Sequence, residues 1–366
     1  MKGRGAFDFG FFLTVMILLS FGLIMVFSAS SADAFYRYND SYFVIKRQLI
    51  WAVLGLFAMF FMASFNYKRL DKLAIPFLLL SIVLLAAVLV VGTEVKGAQR
   101  WLGFGGLTIQ PSEVAKLAII IFFSSRLSKK KDKIQKFFTG LMPYLMILGV
   151  IAALVIMEPH LSGTVVIILV SVILLFAAGA RIFHFVILSL PAIAGLVYAV
   201  IIEPYRMRRI VSFLDPWQYK MNEGWQIIQS LYAIGSGGLF GLGLGRSRQK
   251  FLYIPEAHND FIFSIICEEL GFVGAATVII LFIILIWRGI KIALNAPDTF
   301  GSLLTTGIIS LIAVQVIINI AVVTSSMPVT GMPLPFFSAG GSSLVFIMGG
   351  MGIILNVSRY SNCNRG

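Results

Sequence analysis

Charged side chains are scarce in this chain: Asp, Glu, Lys and Arg make up 12% of its residues, whereas hydrophobic residues make up 59%. A soluble domain would carry about 25% charged residues, so this shortage of charge argues against an ordinary soluble protein. The two cysteines and three histidines have no metal-ligand spacing, which argues against a zinc site or a disulfide framework. A phosphate-binding P-loop motif is also missing. The low content of charged residues and the high content of hydrophobic residues indicate an integral membrane protein.

Apolar runs recur along the whole chain, and their lengths of about 16–25 residues suit helices that span a bilayer. Ten such runs predict an all-α integral membrane fold with ten transmembrane helices in one polytopic domain, residues 1–366. The fourth run contains Glu113 and Lys116, and only residues 158–160 separate the fifth run from the sixth. The predicted spans cover about residues 10–30, 48–65, 73–91, 111–127, 139–156, 162–179, 183–202, 260–287, 302–323 and 342–357.

Lys and Arg predict the orientation of these spans, because short cytoplasmic loops carry an excess of both. The pattern places both termini in the cytoplasm and a large loop, residues 203–259, outside it between the seventh and eighth helices. The net charge of +13 does not indicate nucleic-acid binding, because the basic residues are divided between two sides of a membrane. The basic run Lys129–Lys136 either binds anionic lipid headgroups or is an ordinary positive-inside loop.

Asp260 is the most informative residue of the chain. It stands where the large loop gives way to the apolar run that begins at Phe261. A carboxylate at the mouth of a membrane helix is costly unless it is paired or hydrated, and such groups are usually functional. The position of Asp260 therefore predicts a reaction or binding site at the outer membrane surface.

Glu113 and Lys116 form a second polar group, at the start of the fourth predicted helix. They are three residues apart, so they share a helix face and can pair. Two interpretations remain open: a structural ion pair inside the bundle, or one wall of an active cavity in which Lys116 faces a substrate phosphate.

The large loop combines cations with a glycine-rich stretch, residues 235–245. Cations on a flexible glycine backbone can hold a phosphate-bearing substrate, although headgroup contact by a re-entrant loop would also account for them. The candidate side chains of this loop are Arg206, Arg208, Arg209, Gln229, Ser230, Arg246, Arg248, Lys250 and His258.

Two further segments carry structural predictions. Glu268 and Glu269 lie about two helical turns beyond Asp260 and are rotated away from it, so we expect them to brace the bundle through neighbouring loops. Residues 327–343 contain several prolines and glycines, which exclude a regular helix. Irregular backbone at membrane depth must be covered by protein or line a cavity, so this segment is predicted to line the same cavity as Asp260.

Several motifs together resemble the SEDS family, the shape, elongation, division and sporulation membrane proteins, over nearly the whole chain. The end of the chain, Asn356–Tyr360, is most similar to the FtsW/SpoVE branch. The motifs are Arg100-Trp101-Leu102, Gln110-Pro111-Ser112-Glu113 with Lys116, Gln229-Ser230 with the glycines, Ser247-Arg248-Gln249-Lys250, Pro255-Glu256 with His258 and Asp260, Glu268-Glu269-Leu270-Gly271, and Met327–Ser343.

The resemblance implies a peptidoglycan glycosyltransferase that polymerises lipid II, an undecaprenyl-pyrophosphate disaccharide-pentapeptide, in cell division or spore cortex synthesis. Asp260 would be the general base for the acceptor 4-hydroxyl, and positive charge would stabilise the leaving pyrophosphate. A divalent cation, Mg²⁺ or Mn²⁺, could share that task, and a class B penicillin-binding transpeptidase is the expected partner. The implied substrate-binding residues are Arg100, Glu113, Lys116, Arg206, Arg209, Gln229, Ser230, Arg246, Arg248, Lys250 and His258.

The chain departs from the family pattern where the family often has an acidic residue in a Pro-Asp-Leu-Gly-Thr motif. His160 stands there, so the role of that acidic residue cannot be transferred. Asn259 also replaces a common threonine. A lipid II flippase is the rival hypothesis, since the same cavity would suit a pyrophosphate cargo without any need for a base. A scaffold that recruits the transpeptidase fits the cationic outer loop poorly.

Overall fold

A computed structural model describes residues 5–95, 98–104, 107–129, 134–158, 160–221, 224–251, 253–255 and 257–361. Helices dominate it, as the apolar runs predict. The elements in chain order are α1 (Phe9–Tyr38), α2 (Phe43–Ser64), α3 (Lys68–Val91), β1 (Thr93–Val95), β2 (Ala98–Phe104), β3 (Leu107–Ile109), α4 (Pro111–Lys129), a π-helical turn (Phe137–Leu141) that continues into α5 (Met142–Met157), α6 (Leu161–Ala177), α7 (Ile182–Ile202), α8 (Pro204–Leu214), α9 (Trp225–Gly237), α10 (Ile262–Leu294), α11 (Thr299–Val323) and α12 (Gly341–Ser358).

Each of the ten predicted apolar runs lies on a helix, and the predicted helical membrane fold is confirmed. Within the described residues, eight helices are long and apolar enough to cross a membrane. The other two are α6, which is apolar but shorter, and α4, which carries four charged residues. The number of ten crossings therefore stays a prediction.

The two chain ends lie on the same side of the helix bundle. The amide of Gly5 donates to the carbonyl of Arg359 at 3.0 Å, and Asp8 pairs with Arg288, at the end of α10, at 2.5 Å. The turn between α2 and α3 lies on this side too, because the hydroxyl of Tyr67 donates to Asp298 at 2.7 Å. This arrangement agrees with helices that alternate in direction, and we call this side the terminal side.

Two structured regions on the opposite side go beyond the predicted helices. The stretch between α3 and α4 forms an antiparallel sheet in the order β1-β2-β3, with Thr93 opposite Trp101 and Leu102 opposite Ile109. Residues 203–259, predicted as a loop, contain α8 and α9. These elements are too short to produce the long apolar periodicity by which the spans were recognised.

The glycine-rich stretch is docked against α10, in contrast to the flexible phosphate-holding backbone suggested by the sequence. Gly271 has a φ of 65° and interrupts α10. Residues 238–243, the glycine segment, supply the backbone hydrogen bonds that the interruption leaves unmade. The amide of Phe272 donates to the carbonyl of Gly238 at 2.9 Å, and the amide of Gly243 donates to the backbone carbonyl of Glu269 at 2.9 Å. Positive φ values and close backbone packing explain the glycines, because a Cβ atom would collide or strain the chain.

Glu268 and Glu269 fasten residues 245–250 to the bundle, as predicted. Glu268 accepts from the amide of Arg248 at 2.9 Å, and Glu269 forms an ion pair with Lys250 at 3.0 Å. Ser28 of α1 also donates to Glu269, at 2.5 Å. Since the Lys250–Glu269 pair is almost completely buried, we infer that Lys250 holds the loop in place.

Gly237→Ala is expected to destabilise the protein by about 1–3 kcal/mol or more, because overpacking displaces backbone. A Cβ atom at Gly237 would lie 1.9 Å from the carbonyl oxygen of Cys267. Gly235 is the matched control in the same helix, since a Cβ atom there meets nothing within 4 Å. Alanine at Gly235 should be neutral or slightly stabilising. Thermal unfolding in detergent measures both variants, and equal effects would contradict the close-packing explanation.

Candidate active site

Asp260 lies at the junction of α10, α11 and the segment that leads into α12. Asn319 of α11 donates both to the carbonyl of Asp260, at 2.8 Å, and to the carbonyl of Met332, at 2.7 Å. Gly331 has a φ of 73°, and a Cβ atom there would lie 3.3 Å from the Asp260 Oδ2 atom. Asn319 therefore holds the backbone of the half-buried Asp260, and a side chain at position 331 would crowd its carboxylate.

Residues 327–340, the lining segment, contain no regular helix, as predicted, whereas residues 341–343, included in that prediction, already belong to α12. The lining segment lies against the Asp260 loop, and the cavity that it was expected to share with Asp260 stays a prediction. The hydroxyl of Ser338 donates to the carbonyl of Asn259 at 2.6 Å and accepts from the amide of Leu334 at 2.7 Å. The amide of Ala339 donates to the carbonyl of His258 at 3.0 Å. These bonds satisfy backbone groups outside helices and fix the loop that carries Asp260.

The turn between α5 and α6 forms a second wall beside the lining segment. The hydroxyl of Ser162 donates to the carbonyl of Thr330, next to Gly331. On its other side, the Nδ1 atom of His160 lies 3.3 Å from both Gln110 and Ser112 at the start of α4. Burial, followed by the charges of Arg100 and Lys116, lowers the pKa of His160, so its imidazole is neutral near pH 7. His160 is therefore a polar link between α4 and this turn.

Glu113 and Lys116 form the predicted ion pair, with a distance of 2.6 Å and side chains that are 6% and 2% exposed. The pair lies on α4, whose residues 111–125 are all buried. Because the charge of Lys116 contributes to the lowered pKa of His160, the pair also lies within electrostatic reach of the second wall. The predicted pairing is thus confirmed, and a contact of Lys116 with substrate stays a prediction.

Glu158 is a residue of this wall that the sequence analysis did not select. Its side chain is fully buried, and neither carboxyl oxygen has a hydrogen-bond partner among the described residues. Arg100 of β2 donates to the backbone carbonyl of Glu158 at 3.0 Å. Burial raises the pKa of Glu158 to about 8, against the opposing charge of Arg100. The signal in the sequence was an acidic residue between two apolar runs, where a charge is costly.

Glu158→Gln is expected to remove a pH dependence of stability. Because the folded state raises the pKa of Glu158 from 4.5 to about 8, the stabilising effect of protonation is complete below about pH 4.5 and is lost as the pH rises through 8. The melting temperature of the wild type should therefore fall relative to that of the variant between pH 5 and pH 8.5. Thermal unfolding over this range measures the difference, and parallel curves for the two proteins would refute it.

The arginines of the large loop fall into two groups. The first group, Arg206 and Arg209, belongs to α8. Arg209 donates to the carbonyl of Val329 in the lining segment at 3.1 Å, and Arg206 is buried, with 8% of its surface exposed. Arg246 and Arg248 are exposed on the stretch that follows the glycine segment. Arg209 therefore has a hydrogen bond to the segment that adjoins Asp260.

The remaining candidate site residues are Gln229, Ser230 and His258. Ser230 of α9 donates to the carbonyl of Val323 at the end of α11, at 2.8 Å, and Gln229 is buried beside it. His258 lines a cavity of about 210 Å³ together with the end of α1 that lies opposite the terminal side. The other lining residues are Ala29, Asp33, Arg37, Lys250, Ile254, Pro255 and Ala257. Gln229 and Ser230 therefore anchor α9, whereas His258 faces a polar space next to the Asp260 loop.

A metal site is not evident among the described residues, where no three His, Cys, Asp or Glu side chains are grouped closely enough to hold an ion. Glu256, which the sequence offers as the acidic neighbour of Asp260, lies outside the described residues. The divalent cation therefore stays a prediction.

Comparison with known proteins identifies the family. The sequence model of the FtsW/RodA/SpoVE cell cycle proteins matches residues 9–363. The chain belongs to the FtsW/RodA/SpoVE family. Stage V sporulation protein E of Bacillus subtilis is 49% identical over 354 residues, which cover 95% of this chain and 96% of that protein. The probable peptidoglycan glycosyltransferase FtsW of Geobacter sp. strain M18 is 41% identical and covers 98% of both chains.

Solved structures of family members have the same fold. A chain from a peptidoglycan synthase complex that coordinates polymerization and crosslinking matches with a TM-score of 0.81 and 30% identity, over 98% of this chain and 99% of that one. The rod shape determining protein RodA of Thermus thermophilus matches with a TM-score of 0.73 and 28% identity, over 98% of both chains. The resemblance read from the motifs, including its FtsW/SpoVE branch, is confirmed.

Proposed function

We propose that this multi-pass membrane protein is a peptidoglycan glycosyltransferase that polymerises lipid II at the outer face of the bacterial cytoplasmic membrane. The observation that carries the proposal is the placement of Asp260. Its carboxylate lies next to Gly331, on the side of the bundle opposite the terminal side, in a chain of the FtsW/RodA/SpoVE family. The name of the FtsW relative, a probable peptidoglycan glycosyltransferase, favours this enzyme over a flippase.

The reaction forms one glycosidic bond and breaks one bond to pyrophosphate. The 4-hydroxyl of the acceptor sugar attacks the anomeric carbon of the donor, and its oxygen forms the new bond. Asp260 accepts the hydroxyl proton, and the donor lipid pyrophosphate leaves with the electron pair of the broken bond. A positioned carboxylate base contributes about 10²–10⁴-fold to such a step, and positioning of the two sugars contributes further.

The leaving pyrophosphate requires positive charge, and α8 offers the best-placed source. Arg209 is already bound to the lining segment beside Asp260, and Arg206 lies one helical turn away on the same helix. Arginine binds phosphate oxygens through two parallel hydrogen bonds. We assign Arg246 and Arg248, which are exposed, to the first attraction of the anionic lipid, because surface charge accelerates encounter.

The proposal includes the orientation of the protein in the membrane and its partner enzyme. In this proposal the cytoplasm lies on the terminal side, because the turn between α2 and α3 and the end of α4, which carry Lys68, Arg69, Arg126 and Lys129, are there. A class B penicillin-binding transpeptidase would crosslink the new strands, in keeping with the peptidoglycan synthase complex that contains a similar chain.

Reconstitution with lipid II tests the proposal. The purified protein, with and without the transpeptidase and with Mg²⁺ or Mn²⁺, is expected to yield a ladder of glycan strands on a gel. Digestion of the ladder by a muramidase would identify it as peptidoglycan glycan. Liposomes with lipid II on one leaflet measure its translocation to the other leaflet, which is the activity of the rival flippase. Translocation without a ladder under every condition would overturn the enzyme in favour of the flippase.

A further inference from the structure

A cavity of about 160 Å³ lies on the terminal side of the bundle, opposite the side that carries Asp260. It opens between the end of α4 and the start of α5. Its walls are mostly apolar, and its polar side chains come from three residues. The lining residues are Phe122, Arg126, Ile134, Thr139, Gly140, Pro143, Tyr144 and Ile147.

Arg126 brings a positive charge into this cavity without a bonded acidic partner. Its guanidinium lies 5.8 Å from the centre of the Phe122 ring, and it has no hydrogen bond or ion pair among the described residues. The neighbouring carboxylate of Asp71 is bound instead by Lys129, at 2.8 Å, and by Ser125, at 2.6 Å. The charge of Arg126 is therefore available to an anion.

Tyr144, a largely buried residue, brings a hydroxyl to the same cavity. The residue is 7% exposed, and its ring lies edge-on to Phe123 with 5.3 Å between the ring centres. Its hydroxyl forms no hydrogen bond within the described part of the chain. Because Tyr144 lines the cavity, its hydroxyl can donate to an acceptor bound there.

The π-helical turn before α5 adds a third favourable contribution to anion binding. This turn is the N-terminus of the helix, because the amides of Gly140 and Leu141 both donate to the carbonyl of Lys136, which leaves the amides of residues 137–139 as its first ones. The first amides of a helix have no acceptor within it, and its N-terminus carries a partial positive charge. Thr139 and Gly140 of this turn belong to the cavity wall.

We propose that this cavity binds the phosphodiester headgroup of an anionic phospholipid. The phosphate oxygens accept hydrogen bonds from Arg126 and Tyr144, because hydrogen bonds to a charged acceptor are strong and a guanidinium group suits phosphate. The glycerol and upper acyl carbons pack against the apolar walls, which include Phe122 and Ile147. These walls, at the ends of two membrane helices, favour a lipid over a soluble phosphate, and anionic headgroups attract basic segments at this depth.

Lipid-dependent stability of the full-length protein tests this site. Delipidated wild type in detergent is heated with phosphatidylglycerol, phosphatidylcholine, or inorganic phosphate, and native mass spectrometry counts the retained lipids. We expect only phosphatidylglycerol to raise the melting temperature. Arg126→Gln should weaken its binding about 10- to 100-fold, in line with the loss of a hydrogen bond to a charged group, and Tyr144→Phe should weaken it several-fold.

Arg181→Gln is the matched control. Arg181 is an exposed arginine at the start of α7, and the neighbouring His184 contacts Phe137 of the π-helical turn. The control should bind phosphatidylglycerol as the wild type does. Equal losses in the Arg126 and Arg181 variants would show general charge attraction and overturn the site. Equal stabilisation by inorganic phosphate or by phosphatidylcholine would also overturn it. Melting of each variant without lipid verifies that it folds.

Discussion

Asp260→Asn is expected to lower the polymerisation rate by a factor of about 10²–10⁴, because an amide cannot accept the hydroxyl proton as a carboxylate base does. The loss should fall on kcat, with KM nearly unchanged, since asparagine has the same shape and the base acts in the transition state. The fold should survive, because Asn319 bonds to the backbone carbonyl of Asp260 and not to its side chain. The initial rate of lipid II consumption and the melting temperature together measure the effect.

Asp215→Asn is the matched control for this variant. Asp215 belongs to the same large loop and is exposed, and its side chain accepts from the nearby amide of Gln218 at 3.2 Å. Its replacement should leave the rate within a factor of about two, as for a surface substitution far from the site. A folded Asp260 variant that polymerises at the wild-type rate would remove Asp260 from the role of base and weaken the proposed mechanism as a whole.

Lys116→Met is expected to destabilise the protein by about 3–5 kcal/mol, because removal of one partner of a buried ion pair leaves the other charge uncompensated. Glu113, 6% exposed on the side chain, would be that charge. The double variant Lys116→Met, Glu113→Gln should recover most of the stability, since replacement of both charges in a buried pair is often close to neutral. Thermal unfolding of the single and double variants measures both effects.

Activity of the double variant decides between the two interpretations of this pair. If Lys116 contacts the substrate pyrophosphate, which is the second of the two interpretations of its sequence motif, the double variant folds but polymerises lipid II poorly. Full activity in the stabilised double variant would restrict Lys116 to a structural role. A single variant as stable as the wild type would contradict the burial of the pair itself.

The sequence predicts the helices of this protein well because long apolar runs carry their own signal. It also selects Asp260, because a carboxylate beside such a run is conspicuous. Contacts between distant segments leave no comparable signal. Lys250 was assigned to the substrate, whereas the structure pairs it with Glu269 on another element. Only the fold brings the glycine segment to Gly271. Strands as short as β1 and β3 depend on β2 for their hydrogen bonds.

Arg206 and Arg209 could not be separated from Arg246 and Arg248 by sequence, since all four belong to one basic loop. The distinction arises from α8, which brings Arg209 to Val329. Glu158 was overlooked for a similar reason. Its significance comes from complete burial without a partner among the described residues, and burial of a polar turn between two helices is a property of the assembled bundle.

The interruption of α10 at Gly271 means that a membrane helix of this protein is completed by residues of the large loop. The part before Gly271, which follows directly from Asp260, shares its backbone hydrogen bonds with the glycine segment and its carboxylates with residues 245–250. Shortening this stretch or replacing it by a flexible linker would therefore do more than trim a surface loop. It would leave backbone groups of α10 unsatisfied and release the outer end of the helix on which the position of Asp260 depends.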